Sequence, residues 1–295
     1  MLKLSHDNAI KSTLMFWVDE QIESKYEDLY EKEMPKYDSL LSIRTKEGLQ
    51  SFIRNECESI KLLTTILGIS GEKFKRVITL LRVRKGYTIS TEWSDNKVRA
   101  ELCGSQKLMD EFCDLFFNKD VYKSLIPRSI LNDFRLDREW LIHVCSKDML
   151  LKMIKTSYTT AYNGECAIAY QEKVTDSIKS YTDRYGLSFG KVTHNAILKT
   201  ESLPTISNGE KSIIVTINYT VTTSNNQTRY SDKIQKIRSA MAGNRNYLLV
   251  NILDGAGWVA RGADYQKIHT DCNYFLNLAN INKIETIITE YFNIQ

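Results

Sequence analysis

The residues best suited to chemistry in this chain are cations and carboxamides. Lys73, Lys75, Arg76, Arg82 and Arg84 fall in one predicted helix, 71–85, with no acid between positions 73 and 85. Phe74, Val77, Ile78, Leu80 and Leu81 form its apolar face, Ser70 can cap it, and Glu72 suits its first turn. Cations gathered on one helix can neutralise the phosphates of a nucleic acid. A helix over 46–67, stopped by Gly68, precedes it, so the pair has the outline of a helix-turn-helix reader. Residues 86–103 alternate around a turn at Ser94-Asp95-Asn96 and are expected to form a β-hairpin wing beside it. The same pattern also describes a basic surface helix in a helical domain. Asn225 and Asn226 lie in the polar loop 223–228, where carboxamides can read adenine through paired hydrogen bonds; an ordinary solvated loop has the same composition.

Other chemistry finds little support. There is no P-loop, no G-x-S-x-G and no H-E-x-x-H, and Gly255, Gly257 and Gly262 have the wrong spacing for a dinucleotide fingerprint. The six cysteines and four histidines show no zinc-type spacing, so the thiols are expected to be reduced and structural. A net charge of +4 permits nucleic-acid binding without demanding it. With 42% hydrophobic and 26% charged residues, the composition is that of a globular protein. No apolar run is long enough to span a bilayer, and MLKLSHDNAIKST has no apolar signal core, so a cytoplasmic location is expected.

These groups need elements to hold them. Helices are expected over 7–34 (with one acidic, solvated face), 46–67, 71–85, 105–118 and 120–157, the last broken near Pro127. Near residue 160 the composition shifts, dividing a mostly helical region, 1–160, from an α/β region, 161–295. In the second region a helix over 165–185 ends at Gly186, and strands follow at 189–199 and 212–222. They are joined by a connection over 200–211 that holds Pro204 and Asn208-Gly209. A helix over 229–242 leads to a strand over 247–253, which stops at Asp254-Gly255-Ala256-Gly257-Trp258. A short helix at 263–271, a strand at 273–278 and a helix at 280–292 complete the order. Trp258 is expected in the core.

This order of helix, hairpin strands, helix, strand, helix and strand resembles the core of the PD-(D/E)XK nucleases. The segments IIVTINYT (213–220), TSNNQT (223–228), RYSDKIQKI (229–237), NILDGAGW (251–258) and YFLNLANI (274–281) are most similar to the GATC-cutting DpnII/MboI group of type II restriction endonucleases. The resemblance covers under half the chain, and D-G-A-G-W is its most specific part. It implies an α/β fold, a restriction-endonuclease-like mixed sheet flanked by helices. It also implies Mg²⁺-dependent cleavage of a short sequence in double-stranded DNA, by a homodimer or heterodimer. Mg²⁺ polarises the phosphate and activates the attacking water, and carboxylates hold it.

The family's metal-binding acids and water-orienting residue map onto Asn195, Thr216 and Asn218. Asn218 fits an Asn variant of the pattern, whereas Asn195 and Thr216 bring no negative charge. Each missing carboxylate forgoes about 4 kcal/mol of attraction to a unit cation at an effective dielectric near 20. Glu165 and Glu172 on the preceding helix are the acids available to replace them; surface charge is their other reading. Three explanations stay open: a mapping displaced by a residue or two, an altered catalytic site, or an inactive DNA-binding or partner subunit.

Overall fold

The structure is a computed structural model that describes residues 4–87, 91–194 and 202–294. It comprises two compact units, Ser24–Thr160 and Met1–Glu23 with Ala161–Gln295. The division at 160 coincides with the shift in composition, but it falls inside a helix and not in a linker. Residues Lys147–Arg184 are one helix, α10, where the sequence suggested two. Gly164 is the only glycine or proline within it, and a single interior glycine costs about 1 kcal/mol, too little to end a helix held by packing.

The chain opens with α1 (His6–Ser12) and α2 (Glu20–Glu33). The single helix expected over 7–34 is therefore interrupted, and residues 13–19 run without helical structure. Their backbone groups bond to distant partners in the α/β unit, and these override local propensity. Nor is every acid of the expected solvated face exposed. Glu33 is buried and held by Lys36 at 2.7 Å and Lys61 at 3.2 Å.

The helical unit continues through α3 (Lys46–Asn55), α4 (Ser59–Leu67), α5 (Gly71–Arg84), α6 (Asp95–Gly104), α7 (Gln106–Phe117), α8 (Arg128–Leu131) and α9 (Arg138–Val144). The Asp95–Gly104 helix replaces the second half of the hairpin wing expected over 86–103. Ser94-Asp95-Asn96 is a helix start and not a turn, with the Ser94 side chain accepting from the Lys97 amide at 3.3 Å. Ser, Asp and Asn favour both settings for the same reason, since their short side chains bond nearby backbone amides.

In the α/β unit, five strands lie in the order β1 (Ser188–Thr193), β2 (Ser202–Ser207), β3 (Ser212–Tyr219), β4 (Tyr247–Asp254) and β5 (Tyr274–Leu276). The β1–β2 and β2–β3 pairs are antiparallel, whereas β3–β4 and β4–β5 are parallel. The fold is thus a mixed α/β sheet with helices. The segment expected to be a plain connection contains a strand of its own, β2. Pro204 lies opposite Lys191, and pairing with β3 begins one residue later at Thr205, so the missing N–H leaves the β2–β3 ladder intact. Asn208-Gly209 forms the turn into β3, with Gly209 at φ +94°.

Helices cover both faces of this sheet. Ile213, Val215, Tyr219, Val250 and Ile252 pack with Tyr170, Val174 and Ile178 of α10 and with Ile284, Ile287 and Ile288 of α14 (Lys283–Phe292). Ile214, Leu249 and Leu253 point the other way, onto Ile234 and Ile237 of α11 (Asn225–Ala240), Tyr265 and Ile268 of α13 (Gly262–Asp271), and Trp258 of the short α12 (Ala256–Val259). Burial on both faces explains the near-continuous apolar runs of β3 and β4.

Candidate functional site

The C-terminal ends of β3 and β4 gather the polar residues of the sheet. Asp254, the last residue of β4, is fully buried. Its carboxylate accepts from the Leu14 amide at 2.6 Å, the Tyr170 hydroxyl at 2.6 Å and the Leu278 amide at 2.8 Å. Burial pushes its pKa up to about 6, and the three hydrogen bonds only partly offset that cost. The turn after it is tight. Gly255 has φ +112°, and a Cβ there would lie 2.1 Å from the Thr220 carbonyl; at Gly257 a Cβ would lie 2.5 Å from the Thr222 carbonyl. The Gly255 and Ala256 amides donate to the Leu14 and Met15 carbonyls at 2.8 and 3.0 Å, and the Trp17 amide donates to the Tyr219 hydroxyl at 2.6 Å. D-G-A-G-W is accordingly a junction, tying the N-terminal segment, α10 and the ends of two strands. Its Asp has no free face to offer a ligand.

Thr216 lies one strand away. Parallel pairing sets it opposite Asn251, and both side chains face α11. The Asn251 carboxamide donates to the Thr216 hydroxyl at 2.7 Å and to the Tyr230 hydroxyl at 3.0 Å. Thr216 and Asn251 are both buried, and burial raises the Tyr230 hydroxyl to about 12. The Asn251 Oδ1, Ser231 Oγ and Gln227 Nε2 atoms beside this network are buried without a protein partner. Asn218 faces the same side as Thr216 and accepts from the Trp258 indole N–H at 3.0 Å.

Asn195 lies outside the described residues. The acids proposed to compensate at the metal site, Glu165 and Glu172, are on α10, which covers the opposite face of the sheet from Thr216 and Asn218. Glu172 is exposed and Glu165 is half-buried next to Cys166. The strand alternation that turns Thr216 toward α11 thus separates it from both carboxylates. Among the described residues no group of three or more His, Cys, Asp or Glu is arranged to hold a metal. The donors at the mapped positions are a neutral hydroxyl and a neutral carboxamide, each already bonded within the fold. They do not fit Mg²⁺, a hard cation that takes carboxylates and water.

The cations of α5 do not form one exposed face either. Arg82 is only 2% exposed, lies 4.1 Å from the centre of the Trp93 ring and donates to the Thr91 carbonyl at 3.0 Å. Arg76 pairs with Glu92 and, at 3.5 Å, with Glu72. Arg84 lies 5.8 Å from the centre of the Tyr122 ring, leaving Lys73 and the half-exposed Lys75 as its companions toward solvent. Asn225 and Asn226 are exposed, as expected, but they form the first turn of α11 and not a loop. Ser224 caps that turn, and its amide donates to Gln227 Oε1 at 2.7 Å. The pattern S-x-x-Q is a capping box, a signal sufficient to start the helix four residues earlier than the apolar spacing suggests.

The sequence reading missed Asn251 and Tyr170, the polar partners of Thr216 and Asp254. Asn251 interrupts an apolar strand, which was the available signal. None of the six cysteines is joined in a disulfide. No helix among the described residues is long and apolar enough to cross a membrane.

No protein-family model matches the chain, and no curated protein or solved structure matches it significantly.

Proposed function

We propose that the chain is a DNA-binding protein built on a nuclease-like α/β unit without metal-dependent cleavage, acting as the non-cutting partner subunit of a restriction system. The order α10, β1–β3, α11, β4, α13 and β5, with D-G-A-G-W closing β4, supports the relationship to the PD-(D/E)XK nucleases. The observation that carries the loss of cleavage is Thr216. It occupies the position matched to a metal-binding Glu, yet it is a buried hydroxyl bonded to Asn251, across the sheet from the acids of α10. A neutral site without a carboxylate gives a divalent cation nothing to offset the loss of its water shell.

The test is incubation of the purified chain with a duplex DNA library in Mg²⁺ and, in parallel, in EDTA. Bound DNA is followed by footprinting and strand breaks on denaturing gels. A footprint with no breaks above the EDTA control is expected. Mg²⁺-dependent double-strand breaks would instead establish an active type II endonuclease. Absence of any footprint at low salt would remove the DNA-binding reading.

A further inference from the structure

We infer that the outer face of α11, and not the basic helix α5, is the surface through which this protein meets the phosphate backbone of duplex DNA; this rests on the DNA-binding reading above. Between Lys211 and Asp254 the sequence contains five cations, Arg229, Lys233, Lys236, Arg238 and Arg245, and one acid, Asp232. Most of that charge is on α11. The helix buries Gln227, Ser231, Ile234 and Ile237, which turns Asn225, Arg229 and Lys236 outward at spacings of four and seven residues. At 1.5 Å rise per residue, Arg229 and Lys236 are about 10 Å apart along the axis, comparable to the ~12 Å width of the DNA major groove.

The acids nearby are neutralised by a neighbouring helix. Asp232 is bonded to Lys267 of α13 at 2.8 Å. Asp264 is bonded to Arg261 at 2.8 Å, and the same guanidinium donates to Thr228 at 2.6 Å. Cations at this seam therefore occupy the acids, while Arg238 donates to Asn273 at 3.4 Å. Arg229 and Lys236 are exposed, and among the described residues neither forms an ion pair. The positive end of the helix dipole lies at the same edge as Asn225 and Asn226, and it adds to the attraction for phosphate. On α5, by contrast, one arginine is buried and another is paired to two glutamates.

The experiment measures binding of the full chain to a fluorescent random-sequence duplex over a range of salt concentrations. Wild type, Arg229→Ala/Lys236→Ala, Arg229→Lys/Lys236→Arg and Lys73→Ala/Lys75→Ala are compared. Each lost phosphate contact removes about 0.9 from the slope of log K against log salt. The α11 alanine pair is expected to weaken binding and lower that slope by about 1.8, the charge-preserving pair to restore it, and the α5 pair to match wild type. Wild-type behaviour of the α11 alanine pair, with loss in the α5 pair, would overturn the assignment and leave the DNA-binding reading standing. Failure of wild type to bind at low salt would overturn both. Tight binding of single-stranded RNA, competing with the duplex at equal concentration, would also overturn the choice of partner.

Discussion

The side chains of Thr216 and Asn251 stand opposite each other in the parallel β3–β4 pairing and are joined at 2.7 Å. This bond ties β3 to β4 at the position that the resemblance matches to a nuclease's metal-binding Glu. Thr216→Val keeps the shape and removes the acceptor, leaving a buried carboxamide N–H with one partner fewer. A loss of about 1–2 kcal/mol in urea unfolding is expected. Thr216→Glu introduces the acid that the proposed PD-(D/E)XK relationship places there but buries a charge with no cation beside it. We expect a larger destabilisation, of several kcal/mol, and no Mg²⁺-dependent cleavage.

Asp254 makes stability depend on pH in the direction opposite to that of a salt-bridged carboxylate. Its folded pKa, about 6, lies above the ordinary Asp value of 3.8. The folded state therefore holds the proton more tightly than the unfolded chain. Its contribution is fully present below about pH 4 and is lost as pH rises through about 6, amounting to roughly 3 kcal/mol. Thermal unfolding from pH 4 to 7 should show this fall superimposed on the other titrations, and Asp254→Asn should remove it. The variant is also less stable throughout, because a carboxamide cannot accept from Leu14, Tyr170 and Leu278 as the carboxyl does.

Gly255→Ala should be among the most damaging single changes in the α/β unit. The new methyl would meet the Thr220 carbonyl at 2.1 Å, and the backbone sits at φ +112°, so both sterics and conformation oppose it. Loss of at least about 3 kcal/mol, or failure to accumulate folded protein, is the expected result on expression and circular dichroism.

Arg82→Ala separates a structural arginine from a DNA-contacting one. The variant loses the stacking on Trp93 and the bond to the Thr91 carbonyl, so a loss of about 2–3 kcal/mol of unfolding free energy is expected. The salt dependence of DNA binding at temperatures where it is folded should not change.

The parts of the fold that were legible in the sequence are those fixed by local periodicity. The strands expected over 212–222 and 247–253, the helix expected over 105–118 and the composition shift near 160 all emerge from apolar spacing and turn residues, and the first three end within three residues of Ser212–Tyr219, Tyr247–Asp254 and Gln106–Phe117. What stayed hidden was decided by distant partners. Residues 13–19 look helical because Leu14, Trp17 and Val18 fit the period, yet their backbone is held by Asp254, Gly255 and Tyr219. Ser202–Ser207 looks like a connection because it contains Pro204, and only its flanking strands make it a third strand. At the site, the resemblance to the PD-(D/E)XK nucleases pointed to Thr216 and Asn218 but not to which face they take. Strand alternation and the placement of α10 decide that, and they turn Glu165 and Glu172 away. The five cations of α5 were countable in the sequence, while the burial of Arg82 and the pairing of Arg76 depend on the fold around them.

We propose that the neutral network of Thr216, Asn251 and Tyr230 holds no divalent cation. The most direct test is a titration of the DNA-bound protein with Mn²⁺, following free Mn²⁺ by electron paramagnetic resonance in the absence of other divalent cations. Only weak, non-saturating binding is expected, the same in wild type and Thr216→Val. A saturable site of one ion per chain that disappears in a folded Thr216→Val variant would contradict it.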